Sequence, residues 1–542
     1  MSDRYDMVFV GSGINSLAGA ALLARAGKRV LVLERADRLG GAIWTAEITR
    51  PGFVHDVLAC WHPLFVGSAA YAELAEDLHA RGLEYLNTEL PTGWVGSDGS
   101  SAFLTTSHER NVEELERHAR GDGEAWSRVV QGFMPNADLC FGVLTTELWS
   151  RAGGGLGLKA LRRLGRRGLV ELTGNIVVTA RDWLTETFAS PSTHGLLAPW
   201  VLHTGLGPDA AVSGFMTQVI AVAIELGGMP VPKGGGVKLV EALADIVRDA
   251  GGALETGQEV ERILAENGSV AGVRMTGGTT VSAGCVVANV TPTQLYGRLL
   301  DGSDLPAPAL EAARRFRYGR ADMQIHFALD EPPRWEGDER LPRTAIVHLT
   351  PGLDGVSRAI NEADRGLLPA EATVVVGQPL AVDPCRAPDG KSILWIQLQE
   401  LPRQPKGDAG GEIDVGDGTW TEELRESYAD RIQARIARHV PNLESALLGR
   451  VAFSPADIER TNVNLVEGDI YSGSCALDQN LIWRPRPSLP GHRTPIDGLY
   501  HIGASTHPGP GLGAGSGTMV AHELLHANRL KRAGGRLRGR LR

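Results

Sequence analysis

Cysteine is scarce in this chain and never closely paired. The five cysteines stand at 60, 140, 285, 385 and 475 with no Cys-x-x-Cys spacing. That pattern excludes a disulfide framework and fits a reducing compartment. No basic segment followed by an apolar core opens the chain, so no signal peptide is expected. No run of about 18 apolar residues occurs, so no transmembrane helix is expected. These absences together make the expected location the cytoplasm. Positive charge is outweighed, with 54 Lys and Arg against 64 Asp and Glu and a net charge of −10. That balance argues against nucleic acid as a partner. Metal-site signatures such as His-Glu-x-x-His or a Cys/His cluster are missing, as is the Gly-x-Ser-x-Gly of an acyl nucleophile. No metal is therefore expected, and no internal repeat is visible.

What is present is glycine, 68 of 542 residues, gathered in short clusters. Such clusters suit tight turns and close backbone approach rather than a flexible tract. The length calls for two or more domains.

The first cluster closes a strand. Tyr5 to Val10 is apolar, Gly11-Ser12-Gly13-Ile14-Asn15-Ser16 follows, and Ile14 to Gly27 has a helical pattern. Arg29 to Leu33 is a second apolar run, followed by Glu34. Strand, helix and strand in this order form a βαβ unit. Gly11 would allow the turn, and Gly13 would let backbone approach a pyrophosphate at the helix N-terminus. Ser16 stands where a third glycine is usual. Glu34 lies 21 residues after Gly13 and suits the hydroxyls of an adenosine ribose. Gly40-Gly41 follows in register and would let a second loop wrap the diphosphate. Near the other end, Leu499 to Gly503 is an apolar run entering a loop with Gly509, Gly511, Gly513, Gly515 and Gly517. Such a loop can pack against a flat ring, with the next helix N-terminus turned toward it. Together these segments point to FAD. Gly13→Val is then expected to abolish flavin binding and Ser16→Gly to be tolerated.

These blocks resemble the phytoene desaturase-like flavoproteins, a family of carotenoid desaturases and ketolases, retinol saturase and uncharacterised pyridine nucleotide–disulphide oxidoreductase-like proteins. The resemblance rests on the fingerprint through Gly41, Pro51-Gly52-Phe53, Gly234-Gly235, Gly272-Val273 and Val286 to Pro292. It is strongest at Asp478-Gln479, Arg484-Pro485, Thr494-Pro495-Ile496, Gly498-Leu499-Tyr500 and Thr506-His507-Pro508-Gly509. It implies an α/β fold of glutathione reductase/amine oxidase type, with a discontinuous Rossmann-like FAD-binding domain and an α+β substrate domain. Residues 1–85, 230–295 and 455–530 would form the first, and 86–229 and 296–454 the second, leaving 531–542 as a basic tail. The implied cofactor contacts are Gly11, Gly13, Ile14, Asn15, Ser16, Glu34, Arg35, Gly40, Gly41, Ala42, Val260, Ala288, Gly503, Ala504, Gly511, Leu512, Gly513 and Ser516. Ala42 departs from the arginine common after the glycine pair.

Flavin carries the redox step, so a catalytic side chain need not stand out. His507, in the loop expected to face the flavin, is the candidate, and Trp61 and His62 are candidates for lining the substrate pocket. Residues 151–172 combine six basic residues with Leu161, Leu164, Leu169 and Leu172 expected on one helical face. With the basic tail this suggests peripheral contact with a membrane. Three activities stay open: oxidation or desaturation of an apolar isoprenoid or polyene, oxidation of an amine or polar secondary-metabolite intermediate, and a flavoprotein without turnover.

Overall fold

The computed structural model describes residues 5–300 and 305–526. The 531–542 tail lies outside them. A five-stranded, all-parallel sheet runs in the order Leu499–Ile502, Val286–Asn289, Met7–Val10, Val30–Leu33, Ala253–Glu255. Most of its strands are buried throughout, which explains why they read as continuous apolar runs rather than alternating ones. Helices Ile14–Arg25 and Val237–Asp249 cover one face, where Leu17, Leu23, Leu239 and Leu243 share a core with Phe9 and Val32.

A seven-stranded sheet forms the second layer system. Its order is Leu447–Phe453, Ala321–Leu329, Ser392–Leu401, Val374–Gly377, Ile346–Leu349, Thr92–Val95, Ser101–Leu104. Every pairing is antiparallel except 346–349 with 92–95. Successive side chains point to opposite faces. One face presents Met323, Ile325, Phe327, Leu394, Ile396, Leu398 and Val347 to helix Glu422–Ala437, forming an apolar core. The other face carries Asp322, Gln324, His326, Gln397, Gln399 and His348, all buried. This inner face is roofed by segment 55–62 and by the turn-rich helix Ala198–Thr204.

Two expectations need correction. The sequence puts residues 296–313 in the second unit, yet Tyr296, Leu299, Leu300, Ala309 and Ala313 pack beneath the five-stranded sheet with Val8 and Val286. The basic segment is a helix, Arg151–Val177, but Gly165 takes φ 65° and ψ −179° and breaks it. Leu161 and Leu164 therefore precede the break and Leu169 and Leu172 follow it, so the four do not share one continuous face. Among the described residues no helix is long and apolar enough to cross a membrane.

Candidate flavin and substrate site

The fingerprint glycines sit where the strand 7–10 meets the first helix. Gly11 has φ +85°, a conformation glycine adopts without strain. Gly13 begins the helix Ile14–Arg25, and no side chain caps it. The amides of Ile14 and Asn15 are thus left for an anion, with the helix dipole behind them, while Ser16 N donates to Gly13 O at 2.8 Å. Glu34 is buried, and its Oε2 accepts from Ser12 N at 2.8 Å and Ser12 Oγ at 2.7 Å, while Oε1 accepts from Ala36 N at 2.9 Å. A carboxylate has about four acceptor positions, so one remains for a ribose hydroxyl. Gly40 N donates to Ser12 Oγ at 3.1 Å, and a Cβ on Gly41 would stand 3.1 Å from Gly13 Cα. The two glycine loops touch, and neither has room for a side chain. Arg35 is half-exposed and reaches only toward Glu259, and Ala42 packs by Leu58 and Ile458.

Sequence reasoning missed Asn289, which closes strand Val286–Asn289. A Cβ on Gly11 would meet its carbonyl oxygen at 3.2 Å, one on Gly13 its Nδ2 at 3.0 Å, and one on Gly503 its Oδ1 at 2.5 Å. Asn289 Nδ2 donates to Ser16 Oγ at 3.0 Å. Ser16 therefore holds the residue that separates the fingerprint glycines from the distant loop. The only signal in the sequence was an asparagine ending an apolar strand. Ala288 is fully buried and Val260 nearly so, and both belong to the core beneath the sheet.

The C-terminal loop is joined to the first helix. Ser516 Oγ donates to Asn15 Oδ1 at 2.8 Å, and Gly503 N donates to Ser516 Oγ at 2.9 Å. A Cβ on Gly517 would lie 1.8 Å from the Asn15 carbonyl oxygen. The N-termini of helices 14–25 and 515–526 thus cross at van der Waals distance, and the Asn15 and Ser516 side chains face each other. Ala504 O accepts from the fully buried Arg484 at 2.9 Å. Gly511 and Gly513 lie over Leu64, and Leu512 packs on the core of the first helix.

His507 is 2% exposed. Burial pushes its pKa down to about 4, so the ring is neutral, set beside Glu147 and the backbone of Val143 and Thr146. Its carbonyl accepts from His492 Nε2 at 2.8 Å. His507 is thus enclosed against the helical segment 137–147 and offers the loop no positive charge. Trp61 lies across Gly377 on the inner face of the seven-stranded sheet. His62 is fully buried, 3.1 Å from Tyr85 Oη, with Nε2 toward Gly236 and its pKa pushed down to about 4 by burial. It packs beneath the Gly234–Gly236 loop and not on the sheet face.

That loop is fixed by an ion cluster the sequence did not reveal. Arg386 is fully buried, with Nη1 2.7 Å from Asp56 Oδ2, Nε 2.6 Å from Asp383 Oδ2, and Nη2 donating to Pro232 O at 2.9 Å. Gly234 N donates to Asp383 at 2.7 Å and Gly236 N to Asp56 at 2.8 Å.

Bare glycine backbone, an uncapped helix start and a buried ribose-type acid together fit an adenine dinucleotide, and the second glycine loop from the far end fits the FAD flavin half. FAD accepts a hydride when bound, and this site makes the protein an FAD-dependent oxidoreductase of two-unit α/β type. Residues 17–366 match the flavin containing amine oxidoreductases, and the chain belongs to that family. It is 26% identical over 556 residues to "Pyridine nucleotide-disulfide oxidoreductase domain-containing protein 2" of Rattus norvegicus, covering 96% of this chain and 93% of that one. It is 25% identical to a limonene dehydrogenase polypeptide of Castellaniella defragrans, covering 95% and 93%. To the zeta-carotene-forming phytoene desaturase of Myxococcus xanthus it is 27% identical, covering 93% and 90%. An oxidoreductase from Methanosarcina mazei shares the fold at 17% identity, with a TM-score of 0.61 and coverage of 95% and 99%.

Proposed function

We propose that this protein oxidises an apolar, isoprenoid- or polyene-like molecule by passing a hydride to FAD. The observation that carries this reading is the neutrality of the inner sheet face. Burial holds the Asp322 carboxyl well above the usual carboxylate range, lowers His348 well below the usual histidine range, and pushes His203 down to about 3 and His326 to about 4. A desolvated ammonium needs a buried counter-charge, and burial disfavours the charged form of each of these groups. An uncharged hydrocarbon needs no counter-charge. The limonene dehydrogenase polypeptide and the phytoene desaturase, whose names point to hydrocarbon substrates, support the same reading. The expected result is that isoprenoid or polyene alkenes bleach the bound flavin under argon, while amines do not. Bleaching by amines alone, with peroxide formed on admitting air, would transfer the reading to an amine oxidase.

We also propose that the basic helix Arg151–Val177 rests on an anionic membrane surface. No residue of it is buried, and Arg151, Arg162 and Arg166 make no ion pair among the described residues. Beside it Trp149 is 60% exposed, and within it Val170 is 71% exposed. Basic and apolar groups side by side suit an anionic headgroup region. The protein is expected to sediment with phosphatidylserine vesicles at low salt and to be released at high salt. Equal sedimentation with phosphatidylcholine vesicles would count against it.

A further inference from the structure

The inner face of the seven-stranded sheet contains polar atoms that no protein group satisfies. Gln324, Gln397, Val375 and His348 are direct cross-strand partners in one row over four strands. Two residues along its strand from Gln397 lies Gln399. The unpartnered buried atoms on this face include Gln324 Oε1, Asp322 Oδ1, Gln399 Oε1 and His348 Nδ1, and the covering helix adds Trp200 Nε1. Each unsatisfied polar atom in an interior costs on the order of 1–3 kcal/mol. Five on one sheet face and its roof is far from the ordinary case, in which nearly all buried polar groups are satisfied.

Hydrogen bonding fixes what these atoms offer. Gln399 Nε2 donates to Tyr471 Oη at 2.9 Å and faces His203 Nδ1 at 3.4 Å. An amide nitrogen is only a donor, so His203 Nδ1 is the acceptor and its proton sits on Nε2. His203 Nε2 lies 3.1 Å from His348 Nε2, so His203 donates, His348 accepts, and the His348 proton is on Nδ1. The corner therefore presents two N–H donors, His348 Nδ1 and Trp200 Nε1, and, at the other end of the His203 relay, one acceptor, Gln399 Oε1. Trp200 stacks on His203 with ring centroids 4.6 Å apart and stands edge-on to His348 at 4.9 Å, so the three rings form one wall.

This corner adjoins the flavin loop. Tyr471, which receives the Gln399 bond, is followed by Ser472, whose carbonyl accepts from Ser505 Oγ at 2.6 Å. Arg484 joins Tyr471 O at 3.1 Å to Ala504 O at 2.9 Å. One layer of residues separates the unsatisfied corner from the loop that holds the flavin.

We propose that His348, Gln399 and Trp200, wired through His203, form a recognition subsite for a neutral oxygen group, a hydroxyl or carbonyl, carried by an otherwise apolar substrate. This rests on the reading above that the substrate is apolar. A hydroxyl or a carbonyl can accept from His348 or Trp200, and a hydroxyl can instead donate to Gln399. A hydrocarbon lacking the oxygen leaves these atoms unpaired and binds more weakly. The neutral histidines leave a carboxylate without a counter-charge, so the oxygen group must be uncharged.

The test uses the FAD-loaded enzyme and matched ligands: retinol, geranylgeraniol and geraniol, each against its deoxygenated hydrocarbon. Binding is read from the shift in the flavin absorption spectrum. At least one oxygenated member is expected to bind about tenfold or more tightly than its hydrocarbon. Trp200→Phe and His348→Phe are each expected to reduce that preference, read as the ratio of the two Kd values, by several fold. Two variants are used so that one that fails to load flavin leaves the other informative. Equal affinity for alcohol and hydrocarbon, or a preference that survives in both variants, overturns the subsite but leaves the apolar-substrate reading intact. If no member of any pair moves the flavin spectrum, the apolar-substrate reading itself falls, and the subsite with it.

Discussion

Arg386→Met is expected to cost about 3–5 kcal/mol of stability, because it leaves Asp56 and Asp383 buried without their counter-charge. Arg386 and both acids have side chains that are 0% exposed, so water cannot take over the role of the guanidinium. The bond to Pro232 O and the two carboxylates that anchor Gly234 N and Gly236 N all depend on the same cation. Burial by itself would lower the guanidinium pKa, but the neighbouring acids outweigh it and raise it, so the ion stays charged across the accessible pH range. Urea denaturation of the variant measures the effect. A midpoint equal to that of the wild type would show that the acids are already neutral or hydrated. Methionine reproduces the aliphatic stem of arginine but not the guanidinium, so the loss combines the missing ion with the space it occupied.

Gly13→Val is expected to lower the flavin content of the purified protein by about tenfold or more, a loss of about 1.4 kcal/mol or greater in binding. The backbone at Gly13, φ −59° and ψ 164°, suits any residue, so the effect is one of space. The first carbon already meets Asn289 Nδ2 at 3.0 Å. Two further carbons can be accommodated only by moving Asn289 or the Gly40-Gly41 loop away from the helix start. Ser16→Gly makes the contrast. It removes the 3.0 Å bond from Asn289 and should cost about 1 kcal/mol while flavin is retained. The absorbance ratio of flavin to protein distinguishes the two, and a fully loaded Gly13→Val would mean that the dinucleotide does not approach this glycine.

The cofactor half was legible because its signals are local. A strand, two glycines, a helix and an acid within a few dozen residues carry a mechanism in their spacing. What escaped were pairs set far apart. Asp56 and Arg386 are separated by 330 residues, and Ser16 and Asn289 by 273. Contacts at that range leave no period in the chain. In the strands Ala321–Leu329 and Ser392–Leu401 polar residues alternate with apolar ones along part of each run, a pattern that by itself fits a sheet with one wet face. Only the fold shows that Asp322, Gln324, Gln397 and Gln399 lie in the interior, beneath a roof supplied by residues 55–62 and 198–204. A histidine beside a tryptophan suggests a pocket, whereas burial puts His62 under the Gly234–Gly236 loop. The basic leucine pattern misleads for a different reason: a single glycine, Gly165, interrupts a periodicity that is continuous in the sequence.

The bond between Ser516 and Asn15 spans 501 residues of chain. Closing a loop of that length costs on the order of 5 kcal/mol of chain entropy before any contact offsets it. The two segments meet only when strand Val286–Asn289 lies between strands Met7–Val10 and Leu499–Ile502, so the cradle around the fingerprint glycines forms with the sheet as a whole and not with the first βαβ unit.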